Sequence, residues 1–177
     1  MNAIEAAVAP HRADAVAAAV ERMTDHISVE LTKLAAVDGD VNKLYERPNR
    51  WHTREKYRKL LALRGFICDI TKSGDTSLSG ISYPGSPEIR VPSNRRAEEV
   101  LARTAEEASL AFDAYIAELT AKVGECVAAE MTGHLWSYSI LTVTRADASV
   151  ERWKTQCIVN VSVLGKLFNQ WPTRKVA

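Results

Sequence analysis

The side chains best suited to recognition chemistry crowd between positions 42 and 64, where Lys43, Arg47, Arg50, Arg54, Lys56, Arg58, Lys59 and Arg64 meet only Glu46 and Glu55. Tyr45, Trp51, His52 and Tyr57 are interleaved with them. Cations of this density neutralise phosphates, and aromatic faces beside them stack bases. The pattern therefore makes Lys43, Arg47, Arg50, Trp51, Arg54, Lys56, Tyr57, Arg58 and Lys59 candidate nucleic-acid contacts, with an acidic protein surface as a further partner. Helix, bend and helix is also the outline of a DNA-reading motif, but the stretch from Pro48 to His52 is longer than the usual turn and holds no glycine. The plainer reading, preferred from sequence, is a solvated basic helix pair whose aromatics serve the core.

A second polar concentration follows the last apolar run: Asn160, Ser162, Lys166, Asn169, Gln170, Trp171, Thr173, Arg174 and Lys175. Trp and Arg are enriched at binding hot spots, so Asn160, Lys166, Asn169, Gln170, Trp171 and Arg174 are candidate partner or ligand contacts. Against this, Asn and Gln near strand ends commonly serve turns, and Arg174 and Lys175 read as part of a tail. His11, His26, His52 and His134 occur without HExxH or GxSxG context. A Cys126 and His134 pair, or a site built from His134, Cys157, Asn160 and Lys166, is the enzymatic alternative. Glu98, Glu99, Glu106 and Glu107 sit on one exposed helix face, where nothing desolvates them enough to tune an acid and a base. The Ser-, Gly- and Pro-rich stretch 72–95 contains neither GxxxxGK[ST] nor GxGxxG, so a phosphate cradle is not expected there. No cofactor and no metal are expected.

With 177 residues, 46% hydrophobic and 25% charged, the chain has the composition of one folded domain, and we expect a single domain over 1–177. Global disorder, collagen and a disulfide-built miniprotein are excluded. The 23 basic residues nearly balance the 22 acidic ones, so any polyanion signal must be local. Cys68, Cys126 and Cys157 have no CxxC or metal-ligand spacing, which fits a reducing, cytoplasmic compartment. An acidic start and the lack of an 18-residue apolar run lead to the expectation of neither secretion nor a membrane span.

Val16, Val20, Met23, Ile27, Leu31 and Leu34 recur at helical spacing, which predicts a helix from about 9 to 36, stopped by Gly39 and reaching roughly 40 Å at about 1.5 Å per residue. Residues 3–9 read as a separate turn or frayed arm before Pro10. Asp40 can cap a short helix that Pro48 must end, and Thr53 can cap another over 54–64, closing at Gly65. Residues 66–70 read as a strand, and Pro84-Gly85 as the centre of a turn in a small hairpin. Ser93 or Asn94 caps a long helix with Ala97, Val100, Leu101, Thr104, Ala108, Ala111, Phe112, Tyr115 and Leu119 on one face, ended by Gly124. Residues 136–144 and 153–163 are β-prone and should pair antiparallel, with a last piece, 166–171, stopped by Pro172.

These elements specify an α+β fold: two long amphipathic helices and a basic short-helix pair, packed with a mainly antiparallel sheet formed by the C-terminal hairpin. The function expected is a non-enzymatic cytoplasmic binding or regulatory protein acting through protein–protein contacts, as a homo-oligomer or with a protein partner. An inhibitor encoded by a bacterium or mobile element fits such a chain. Nucleic-acid binding through 43–64 is the first alternative, and an enzyme with a site in the C-terminal sheet is the second.

Overall fold

A computed structural model describes residues 2–44, 49, 51–71, 94–134, 138–162 and 165–176. The expected hairpin around Pro84-Gly85, the Ser93 cap, and the residues Tyr45, Arg47, Pro48 and Arg50 lie outside these residues. The fold is α+β, with five α-helices and a four-stranded antiparallel sheet among the described residues.

Of the two readings for residues 3–9, a separate turn or a frayed arm, the structure shows a separate short helix, α1 (Ala3–Val8). The reason is a capping box: Glu5 N–H donates to Asn2 Oδ1 at 2.7 Å, while Asn2 N–H reaches back to the Glu5 carboxylate. Its Ile4 and Val8 are buried. A 3₁₀ turn, Ala9–His11, takes Pro10, and α2 (Arg12–Ala35) follows. Helix α2 ends in a Schellman turn, with Gly39 N–H donating to Leu34 O at 2.9 Å and Asp38 N–H to Ala35 O at 3.1 Å. Both residues have positive φ, so Asp38 shares the left-handed bend with the expected Gly39.

The four-residue α3 (Val41–Leu44) starts at Asp40, whose carbonyl accepts from Leu44 N–H. Helix α4 (Arg54–Thr71) corrects two expectations together: it does not close at Gly65, and residues 66–70 are helical rather than a strand. A short apolar run fits either period, and here Phe66, Ile67 and Ile70 fall on the buried side of a helix. Helix α5 (Asn94–Val123) buries Val100, Thr104, Ala108, Phe112, Tyr115, Leu119 and Val123, and stops at Gly124, whose φ is 78°.

The sheet runs β1 (Ala128–His134), β2 (Tyr138–Thr144), β3 (Val150–Thr155) and β6 (Thr173–Val176), in the order β1-β2-β3-β6. Two corrections arise here. The β-prone run 153–163 breaks at Gln156 and Cys157, so β4 (Ile158–Val161) leaves the main sheet and pairs with β5 (Leu167–Gln170). The chain does not end its structure at Pro172, because Thr173, Arg174, Lys175 and Val176 pair with Thr155, Lys154, Trp153 and Arg152. Strand β1 was not anticipated at all.

The chain separates into two compact units. One comprises 1–20, 105–160 and 167–177. Its core joins Ile4, Val8, Ala15, Ala19, Phe112, Tyr115 and Leu119 to Leu141, Val143 and Cys157. The alternation of β2 sends Ser139, Leu141 and Val143 inward and Tyr138, Ile140 and Thr142 to the other face. Inside, Tyr115 and Thr155 share a hydrogen bond at 2.9 Å, and Thr155 another with Thr173 at 2.9 Å. Burial pushes the Tyr115 phenol above its ordinary range. The other unit comprises 21–104 and 161–166, and buries Met23, Ile27, Leu34, Phe66, Ile67, Ile70 and Val100. His26 stacks on Phe66 at 5.0 Å.

Arg145 ties the end of α5 to the β2–β3 hairpin. Its guanidinium donates to the carbonyls of Val123, at 2.7 Å, and Glu125, and to Glu151 Oε2 at 2.6 Å, placing a cation at the negative helix end. Arg145 and Lys175, the latter at 2.7 Å, together hold the Glu151 carboxyl well below its ordinary 4.5, at about 2. The unfolded chain takes up this proton first as pH falls. The stability Glu151 contributes is therefore complete above its ordinary pKa and lost as pH drops from about 4.5 towards 2. Denaturant midpoints measured across this window should fall more steeply for the wild type than for Glu151→Gln; parallel curves would show that the clamp does not stabilise the fold.

Candidate functional site

The basic segment is built by two local devices. Asn49 Oδ1 accepts from Trp51 N–H at 2.9 Å and Asn49 O accepts from His52 N–H at 3.1 Å, a side-chain-supported turn that sets Trp51 at its tip, 78% exposed. Thr53 Oγ1 then accepts from Lys56 N–H at 3.3 Å, which starts α4. From that start Arg54, Glu55, Lys56, Tyr57, Arg58 and Lys59 are all exposed, as is Lys43. Arg64, counted with this charge in the sequence, is instead buried at 1% exposure and does not belong to the surface. Four cations against one acid in the first two turns of α4 oppose the positive end of the helix dipole. Such a surface is electrostatically improved by an anion.

A second surface is the outer face of the four-stranded sheet. Tyr138, half exposed, lies beneath Lys154, whose Nζ sits 3.8 Å from the ring centroid. Lys154 pairs directly across β3 and β6 with Arg174, and Arg152 follows two positions along on the same side. Beside them opens a cavity of about 360 Å³ lined by Tyr138, Lys154, Gln156, Pro172, Thr173 and Arg174, among others.

Of the C-terminal candidates whose side chains are described, Arg174 alone lines this cavity. Gln170 is exposed at the end of β5, and Lys166 is exposed in the turn before it. Asn160 is half-buried in β4, and the side chain of Asn169 lies outside the described residues. Trp171 packs against the core, its ring 6.1 Å from Tyr115. Sequence reasoning missed Tyr138, Arg152 and Lys154; the available signal was the alternation of polar and apolar residues in the two strands.

No protein-family model, curated protein or solved structure matches this chain.

The catalytic alternatives gain no support from the placements. His134 is the last residue of β1 and Cys126 lies two residues before its start, so the length of this seven-residue strand, roughly 20 Å, separates them. Cys157 is buried in the core, and burial pushes its thiol up to about 12, where it stays protonated and unreactive at neutral pH. Among the described residues no group of three His, Cys, Asp or Glu side chains could hold a metal ion, and no helix is long and apolar enough to cross a membrane.

Proposed function

We propose that the chain is a non-enzymatic binding protein whose ligand is a polyanion, with single-stranded nucleic acid the polymer that fits best. The observation that carries this reading is the shared exposure of Trp51, Arg54, Lys56, Tyr57, Arg58 and Lys59. An exposed tryptophan beside four cations supplies both parts of sequence-tolerant recognition, base stacking and phosphate neutralisation. Affinity for a labelled single-stranded oligonucleotide should fall steeply with salt. The Arg54→Gln, Arg58→Gln, Lys59→Gln triple variant should lose about tenfold in affinity and flatten the log–log salt slope by about 2, since each phosphate contact contributes roughly 0.7. A wild-type protein that does not bind, or an unchanged slope in the variant, would end the reading.

Protein–protein association, including self-association, is the second reading. Leu110, Val127 and Val150 are each more than 60% exposed, and among the described residues β1 pairs on one side only. Light-scattering mass at low and high salt separates the two: a salt-independent oligomer supports association, and a monomer that carries nucleic acid only at low salt supports the polyanion reading.

A further inference from the structure

We propose that the cavity on the outer face of the sheet is a binding site for a phosphate ester of nucleotide size, separate from the basic segment at the start of α4. Lys154 and Arg174 stand directly opposite each other on neighbouring strands, an arrangement of like charges that disfavours the sheet unless an anion sits between or above them. Among the described residues neither forms an ion pair with a carboxylate. Glu151 lies on the other face of β3, engaged by Arg145 and Lys175. Glu130, on the outer face, is in register with Thr142 and so two strands from Arg152, about 10 Å away. The repulsion is therefore left for a ligand to relieve.

The geometry selects phosphate. Lys154 is held over the Tyr138 ring, so its ammonium is already ordered before a ligand arrives, and its remaining N–H bonds are free to donate. Arg174 offers a planar fork of donors. A cation that donates as a point charge and one that donates as a fork match the several oxygens of a phosphate, whereas a lone carboxylate balances one of the two charges. The cavity, about 360 Å³, is larger than a phosphate alone requires and falls in the range of small-ligand pockets, and Tyr138 and Pro172 give it apolar walls against which a sugar or base can lie. That chemistry is shared by a free nucleotide and by one unit of a nucleic-acid strand.

Amide chemical shifts of the full chain, titrated with the four ribonucleoside 5′-monophosphates, the matching nucleosides and a short single-stranded oligonucleotide, test this. Saturable shifts centred on residues 138, 154, 156 and 174 should appear with the phosphorylated ligands and not with the nucleosides. Lys154→Gln and Arg174→Gln should each weaken that binding about tenfold. Arg174→Gln should also leave the ligand-free melting temperature unchanged or raised, since it removes the opposed charge and keeps the Lys154 contact with Tyr138. Tighter binding of mononucleotide than of oligonucleotide identifies the free nucleotide as the source, and the reverse order identifies a strand. The Arg54, Arg58 and Lys59 triple variant should keep these shifts, so failure of the basic-segment reading does not touch the cavity. No saturable shift with any phosphorylated ligand at millimolar concentration, equal response to nucleosides, or full binding by both single variants would overturn the proposal.

Discussion

Phe112→Ala is expected to destabilise the protein by about 4 kcal/mol, the usual cost of truncating a buried phenylalanine. Phe112 has no exposed surface and belongs to the cluster that joins α1, α2, α5 and β2. Its ring meets Tyr115 at 5.8 Å between centroids, and the Arg12 guanidinium lies 5.5 Å from its face. That guanidinium is also held by Asp113 and by Ser109 Oγ, at 3.0 Å, bonds that it would have to give up to swing inward and fill the space. Ala15, Ala19 and Ala108 of the same cluster are too short to extend into a void of that size. A loss of this size is a large fraction of the roughly 5–15 kcal/mol that a domain possesses, and lowers the melting temperature by about 10 °C. Trp153 and Trp171 pack against the same cluster and report its opening by fluorescence. Leu110→Ala, two positions away and 64% exposed, is the control and should change stability by less than about 0.5 kcal/mol. If Phe112→Ala costs no more than that control, the cluster is not the core of its unit.

How much of this was legible in the residues depended on whether the decisive signal was local. Thr53 at the start of α4, Gly39 after α2 and Gly124 after α5 act within a few residues of themselves, and the chain turns where those types stand. The continuation of α4 through Gly65 was not legible for the same reason reversed: a glycine that ends a helix and one that sits inside it differ only in φ, and 66–70 satisfies both periods. Strand β1 contains Ala, Glu and Gly, poor strand formers, and is a strand because β2 pairs with it along its whole length. Strand β6 is polar and follows a proline, and its order comes from pairing with β3. The candidate sites divide in the same way. The basic segment is contiguous and visible as a charge run, whereas Tyr138, Lys154 and Arg174 come from three strands and meet only through their register.

Gly165→Ala should cost about 3 kcal/mol, although it adds a single methyl group. The turn from β4 to β5 closes with Ser162 N–H donating to Lys166 O at 2.8 Å and Gly165 N–H to Ser162 O at 2.9 Å, and it places Gly165 at φ 67°. Alanine in that left-handed conformation costs about 1–2 kcal/mol by itself. A Cβ built there would also fall on the ring of Phe66, and overpacking of that kind costs about 1–3 kcal/mol. Phe66 is 5% exposed and stacked on His26 with an interplanar angle of 27°, so moving the ring aside disturbs that packing. The two contributions separate in a double-mutant cycle. In a Phe66→Ala background the steric part disappears, and Gly165→Ala should cost only the backbone strain. Gly65→Ala supplies the opposite control: that glycine is inside α4 with nothing within 4 Å of an added Cβ, so alanine there should stabilise by up to about 1 kcal/mol. Urea midpoints followed by circular dichroism measure all of these. Equal costs of Gly165→Ala with and without the Phe66 ring would mean that the ring and the turn are not in contact, and that the backbone alone requires the glycine.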